Sequence, residues 1–380
     1  MNLFRFLFLL VFFILLNIYL FNRGWQAMPD NRVVHTVYTL LYIFTSTAIF
    51  FAIFAGNRLP VATGRIFELV GGYWMILFVF TLSGALLGDI LRILNHYFGI
   101  FPDWVTRHYA QAKLIYFFAV LTVLAFISVM GYYRFSHPKI TKMNLTVNHG
   151  KVLTHDMNII AVSDIHLGNL IRKKQLGKWV NLINKQDPDV ILIVGDLFDH
   201  NIHAVELQHM NDDLLKLKAT YGVFGIPGNH DYYAGIDKAI QYMKSSGIKV
   251  LRDTSVVIDK QLILIGRDDL TNRNRKPLNA IINGSPDTLP KIVLDHQPSG
   301  FAESEENGID VHISGHTHNG QLFPFNKVVS RIYKLGYGYL KSGNTHFYVS
   351  SGLGLWGAPI RLGTQSEIVN IVLKSSLNAN

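Results

Sequence analysis

A chain of 380 residues, 49% hydrophobic, 16% charged and with a formal net charge of +9, has room for two folded units and is too apolar to be soluble throughout. It has no cysteine, which excludes disulfides, thiolate metal sites and cysteine nucleophiles. The positive charge suits an anionic partner such as a phosphate ester or lipid headgroups, but no Lys/Arg run interleaves with aromatic residues, so nucleic acid is not expected.

The apolar bias is local. Residues 1–138 hold four acidic residues (Asp30, Glu68, Asp89, Asp103) against nine Lys/Arg. Four stretches there reach the roughly 20 residues that a bilayer crossing takes: Leu3 to Phe21, Val37 to Ala55, Gly71 to Leu91 and Leu114 to Gly131. Trp25, Tyr73, Trp74, Trp104, Tyr132 and Tyr133 lie near their ends, as interfacial aromatics do. The first stretch lacks a small-x-small cleavage site, so it reads as a span rather than a signal peptide. Residues 1–135 are therefore expected to form a four-helix, multi-pass transmembrane region, in the inner membrane of a bacterial cell. An even number of spans puts the N-terminus and the rest of the chain on the same side. Lys/Arg counts of six and five on the two sides do not decide which side that is. Asp89 is the one acidic residue inside a span, with Arg92 three residues on, and reads as a local interfacial pair rather than a transport pathway.

Residues 136–150 read as a linker and lead-in, with Arg134, Lys139 and Lys142 making it basic; residues 151–375 read as a second domain. Its pattern predicts a strand at Ile159–Ile165, a helix at Lys173–Asn184, a strand at Val190–Val194 and a helix at Ala204–Lys218. A strand at Gly222–Ile226 and a helix at Ile236–Ser245 follow, then strands near 256–259, 262–266, 292–294, 311–314, 347–350 and 368–373. Alternation followed by a strand-rich stretch predicts an α/β (α+β) sandwich with mixed sheets.

The carboxyl ends of five strands carry polar clusters: Asp164-Ile165-His166, Gly195-Asp196-Leu197-Phe198-Asp199-His200, Gly228-Asn229-His230-Asp231, Asp295-His296 and Gly315-His316-Thr317-His318. Ligands of open α/β sheets sit at such ends. Asp164 and His166, like His316 and His318, are two apart, which on an extended backbone points both side chains to one face. Carboxylate oxygen with imidazole nitrogen suits Mn, Fe or Zn. Glycines before Asp196, Asn229 and His316 allow close backbone approach.

Together these motifs resemble the full signature of the calcineurin-like metallophosphoesterases over about residues 150–375, and with the helices ahead of them the chain looks like the membrane-anchored bacterial subgroup of YkuE and YaeI type. Ser351-Gly352-Leu353-Gly354-Leu355-Trp356, with Arg361 following, is also similar to that subgroup; Asn319-Gly320 departs from its usual Gly-Gly. The resemblance implies two divalent or trivalent metal ions, one on Asp164, His166, Asp196 and His318, the other on Asp196, Asn229, His296 and His316, with Asp196 bridging. It further implies that His230 protonates the leaving group or stabilises phosphoryl oxygens, and that Asp199 orients His230. Asn229, His230 and Arg361 are the candidate substrate contacts. A helix N-cap is the competing reading of Asp199, and a structural salt bridge that of Arg361. Asp231, His200, His312 and Asp295 read as supporting or turn residues.

The expected function is hydrolysis of a phosphoester or pyrophosphate, with lipid-linked substrates favoured by the tether to the membrane lipids. A non-catalytic metal-binding scaffold of the same fold and a hydrolase of soluble phosphodiesters are the alternatives. Nothing in the sequence points to a protein partner.

Overall fold

The computed structural model describes residues 3–55, 59–146, 151 and 153–374. They divide into two compact units at Val129/Met130.

The first unit holds α1 (Leu3–Trp25), α2 (Arg32–Ala55), α3 (Val61–Phe98), the short α4 (Asp103–Arg107) and most of α5 (Tyr109–Ser136). The four long helices are each apolar and long enough to cross a membrane. Phe8, Leu15, Leu40, Phe54, Phe126 and Val129 are all exposed on them, as side chains facing lipid would be. Every helix overshoots its predicted span. At 38 residues α3 is about 57 Å long, well beyond a hydrocarbon layer of roughly 30 Å. Asp89 does lie near Arg92 at 3.6 Å, but its closest partners are on α1: Arg23 Nη2 at 2.6 Å and the Tyr19 hydroxyl at 2.8 Å. The expected local pair is therefore a clamp between two helices.

The second unit is two six-stranded sheets packed face to face. One has the order β1 (Lys139–Thr146), β12 (Glu367–Lys374), β2 (Met157–Val162), β3 (Val190–Val194), β4 (Gly222–Ile226), β5 (Ile248–Val250). The other has the order β10 (Gly338–Ser342), β11 (Thr345–Val349), β9 (Val311–Ser314), β8 (Lys291–Leu294), β7 (Leu262–Gly266), β6 (Thr254–Ile258). Strands β2 to β5 are mutually parallel, as are β7, β8, β9 and β11; the remaining neighbours of β2, β7 and β11 run antiparallel. Both faces of the central strands are buried, so their sequences are continuous apolar runs. Ile159 and Ala161 of β2 face the space between the sheets, with Leu192, Phe224, Leu264, Ile292 and Ile313. Ile160 and Val162 point the other way, onto Trp179, Val180 and Ile183 of α6 (Lys173–Asn184) and Met243.

Two expectations are corrected here. The stretch read as a linker is mostly β1, which pairs in parallel with β12 from Lys139↔Glu367 to Thr146↔Lys374; the linker's last residues, 147–150, lie outside the described residues. The single helix expected at Ala204–Lys218 is two short ones, α7 (His203–Glu206) and α8 (Asn211–Leu214). Val205, Met210 and Leu214 are all buried, and a five-residue step followed by a four-residue step cannot lie on one face of an unbroken helix. The break falls at His209, whose φ of 49° is left-handed.

Candidate metal centre

The five polar clusters follow β2, β3, β4, β8 and β9, three strands of one sheet and two of the other, so the site sits where the carboxyl ends of the two sheets meet. The side chains converge, but not along extended backbone. Asp164, His166, Asp196, His316 and His318 have φ between 49° and 69°. After β2, β3 and β9, though not at Asn229 or His296, the candidate ligand residue adopts a left-handed conformation, which costs an L-residue roughly 1–3 kcal/mol and persists where the surroundings over-determine it. The same-face argument from residue spacing is thereby replaced by tight kinks.

Those kinks need the neighbouring glycines. A Cβ at Gly195 would strike the His296 ring, one at Gly228 the Asp196 carboxylate, and one at Gly315 the Asp164 carboxylate. Gly315→Ala is accordingly expected to displace Asp164 and lower metal occupancy while leaving both sheets folded. Metal analysis alongside circular dichroism checks it.

Three groups of possible ligands form: Asp164/His166/His318, Asp196/His296/His316 and His166/Asp199/His230. In the first, His166 Nε2 is 3.2 Å from His318 Nε2, which is 3.4 Å from Asp164 Oδ1. In the second, His296 Nε2 is 3.1 Å from Asp196 Oδ2, and His316 Nδ1 is 2.9 Å from Asn229 Oδ1. Asp196 Oδ2 is also 3.8 Å from His166 Nε2, which places this carboxylate between the first two groups. Its Oδ1 accepts from the His230 amide at 2.8 Å.

The donors fit a cation. Burial holds His166, His316 and His318 below the ordinary imidazole range, so these rings are neutral and offer lone pairs. His166 Nε2 and His318 Nε2 converge on one another, and His296 Nε2 on the Asp196 carboxylate, all of them buried. Burial works to raise the carboxyls of Asp164 and Asp196, yet neighbouring His318 and His296 respectively hold both below the usual carboxylate range. The set of nitrogen and oxygen donors is the one that Mn, Fe or Zn takes.

Around the ligands the expected residues take distinct places. His230 is partly exposed, with Nδ1 2.9 Å from the Asp199 carbonyl and 3.4 Å from its carboxylate. Against burial, the Asp199 hydrogen bond raises the His230 pKa. The N-cap reading of Asp199 lapses, because α7 begins only at His203; its carboxylate also meets His200 Nδ1 at 2.8 Å. Asp231 accepts from the Gly228 and Phe198 amides at 2.8 and 3.1 Å, tying two ligand loops together. Asp295 is clamped by both terminal nitrogens of Arg275, at 3.1 and 3.0 Å. His312 lies in the core, bonded to Ser304 and Ser314.

Arg361 is the clear departure. Expected at substrate, it is fully buried, and its guanidinium donates to the carbonyls of Ser351, Gly352 and Gly354. Its role is to hold the Ser351–Gly354 turn, where Leu353 and Gly354 amides bond Ser163 and Asp164 carbonyls at 2.8 Å. Arg361→Met would leave the Ser351 and Gly354 carbonyls without a partner among the described residues, while that of Gly352 keeps the Glu367 amide at 3.0 Å, so a loss on the order of 3 kcal/mol is expected, a drop of roughly 6–12 °C in melting temperature. Thermal unfolding checks it.

A sixth strand end was passed over in sequence. After β7 come Arg267, Asp268 and Asp269, all buried. Asp268 bonds Tyr232, beside the Asn229–His230 turn, and Asp269 takes both bonds from Gln297, next to His296. The signal, polar residues clustered directly after an apolar run, is the same as at the other five.

A family profile described as calcineurin-like phosphoesterase matches residues 157–320. An uncharacterized metallophosphoesterase of Helicobacter pylori is 31% identical over 312 residues, covering 78% of this chain and 82% of that protein. A transmembrane protein with metallophosphoesterase domain from Danio rerio is 29% identical, over 82% of this chain and 73% of that one. The uncharacterized metallophosphoesterase YkuE of Bacillus subtilis is 29% identical over 65% of this chain and 90% of its own.

Proposed function

The chain belongs to the calcineurin-like metallophosphoesterases, and we propose that it hydrolyses phosphoester or pyrophosphate bonds with two metal ions, in a bacterial inner membrane with its N-terminus and hydrolase domain on the same side. The observation that carries this reading is the convergence of Asp164, His166, Asp196, Asn229, His296, His316 and His318 beside a partly exposed His230. Asp164, His166, Asp196 and His318 would hold one ion, and Asp196, Asn229, His296 and His316 the other. Bound there, such ions polarise a phosphoryl oxygen and lower the pKa of water. His230 is the proton donor. Its Nδ1 is engaged by Asp199, leaving Nε2 to reach a phosphoryl or leaving-group oxygen. The Asp199 hydrogen bond and the nearby carboxylate charges raise the His230 pKa against burial, which favours the protonated form that a donor needs.

Lipid-linked phosphoesters are the proposed substrate class, supported by four helices of membrane-crossing length in the same chain. The test is full-length protein, stripped of metal and reloaded with Mn, Fe or Zn, assayed against lipid-linked and soluble phosphodiesters, monoesters and pyrophosphates. Metal-dependent turnover is expected, fastest on a lipid-linked ester. Fully loaded protein inert on every substrate would favour a binding scaffold, and preference for soluble esters would remove the lipid assignment.

A further inference from the structure

We propose that the short helix following the last metal-ligand turn is a membrane-docking surface that seats in a bilayer rich in anionic headgroups. The helix is α9 (Phe325–Ile332), and none of its residues is fully buried. Phe325, Val328 and Ile332, at positions i, i+3 and i+7, form one stripe and are 49%, 47% and 68% exposed. Phe323, just ahead of the helix, and Trp356, on an adjoining loop, are also about half exposed or more. Lys327 and Arg331, one turn apart, are exposed along one edge of this stripe, and Lys334 follows, also exposed. Val329 and Asn326 are the partly buried residues by which the helix rests on the domain.

An apolar stripe edged by cations on a helix of low overall hydrophobicity is the pattern of helices that lie in the lipid interface, where the stripe enters the acyl boundary and the cations meet phosphate. The chain supplies the surface. Four of its helices are long and apolar enough to cross a membrane, and β1 begins at Lys139, three residues after α5 ends. The last turns of α5 belong to the hydrolase unit: the Gly131 and Arg134 carbonyls accept from the Arg361 and Ser366 amides at 3.1 and 3.2 Å. That loop is bonded in turn to the lead into α9, through Phe323 N to the Leu362 carbonyl at 2.8 Å and Gln321 Nε2 to the Trp356 carbonyl at 3.0 Å.

The helix is also built onto the ligand turn itself. His318–Gly320 is a single 3-10 turn, and a Cβ at Gly320 would strike the backbone of Phe325 and Asn326. Asn319 takes the left-handed conformation at φ 49° and ψ 38° that asparagine tolerates. Docking of α9 therefore fixes the loop bearing His316 and His318 against the lipid surface. The proposal does not depend on the reaction assigned above.

Because the chain has no cysteine, single probes are simple to place. Full-length protein carrying Val328→Cys, Ile332→Cys or, as an exposed control, Lys218→Cys would be nitroxide-labelled and put into vesicles of phosphatidylcholine with or without phosphatidylglycerol. Labels at 328 and 332 are expected to relax several-fold more with oxygen than with a water-soluble nickel chelate in the anionic vesicles, and label 218 the reverse. Lys327→Gln with Arg331→Gln should abolish that preference at 332. Nickel accessibility at 328 and 332 equal to that at 218 in both vesicles would overturn the proposal. So would oxygen preference indifferent to the anionic lipid, or dipolar broadening between labels, which would assign the face to a second copy.

Discussion

Asp196→Asn is expected to lose both metal ions and with them essentially all turnover. The carboxylate is 1% exposed and lies between the two ligand groups, with Oδ2 3.1 Å from His296 Nε2 and 3.8 Å from His166 Nε2. Asparagine keeps the shape and the Oδ1 that accepts from the His230 amide, so the loops should remain in place. What disappears is the single negative charge that both ions would share, in a buried setting where uncompensated cations are costly. The measurement is metal per protein by mass spectrometry, before and after dialysis against chelator, for wild type and variant. Wild type should carry close to two ions. One tightly held ion, unchanged in the variant, would rule out a shared carboxylate.

His230→Ala should leave metal content and melting temperature near wild type and reduce kcat by about 10²–10⁴-fold, the usual contribution of a positioned general acid. It lies outside the Asp164/His166/His318 and Asp196/His296/His316 groups but inside a third, with His166 and Asp199. Loss of one metal in the variant would therefore show that this third group holds an ion and that His230 is a ligand. Asp199→Asn separates the roles further. Burial lowers the His230 pKa, and the Asp199 hydrogen bond together with the nearby Asp196 and Asp199 charges more than offsets it, so the protonated form persists to higher pH than in an ordinary histidine. Removing the carboxylate should move the alkaline limb of the kcat/KM profile to lower pH. An unmoved limb would mean that His230 is not the group titrating there, or that the Asp199 carbonyl at 2.9 Å orients it alone.

Much of this protein is set by local sequence. Four apolar stretches dictate helices because a chain crossing lipid must satisfy its backbone within the segment. The central strands are legible because burial on both faces demands unbroken apolar runs such as Val190–Val194. The donors are legible because few side chains offer nitrogen or carboxylate oxygen to a metal, and Asp164, His166, Asp196, Asn229, His296, His316 and His318 stand at strand ends where ligands collect.

What the tertiary structure decided involves partners far apart in the chain. The stretch from Lys139 reads as a linker until β12, more than two hundred residues later, supplies the hydrogen bonds that make it a strand. Asp89 has an obvious neighbour in Arg92, and only helix packing brings Arg23 closer. Arg361 in a glycine-rich stretch suggests a phosphate contact; its environment of three converging carbonyls exists only once the turn has closed over Asp164. The candidate ligand residues stand out in the sequence for a partly wrong reason, since period-two spacing implies extended backbone and the loops at Asp164, His166, Asp196, His316 and His318 are left-handed. Residue identity fixes which atoms can bind. The backbone angles that aim them arise from packing two sheet edges together, and no local pattern encodes that junction.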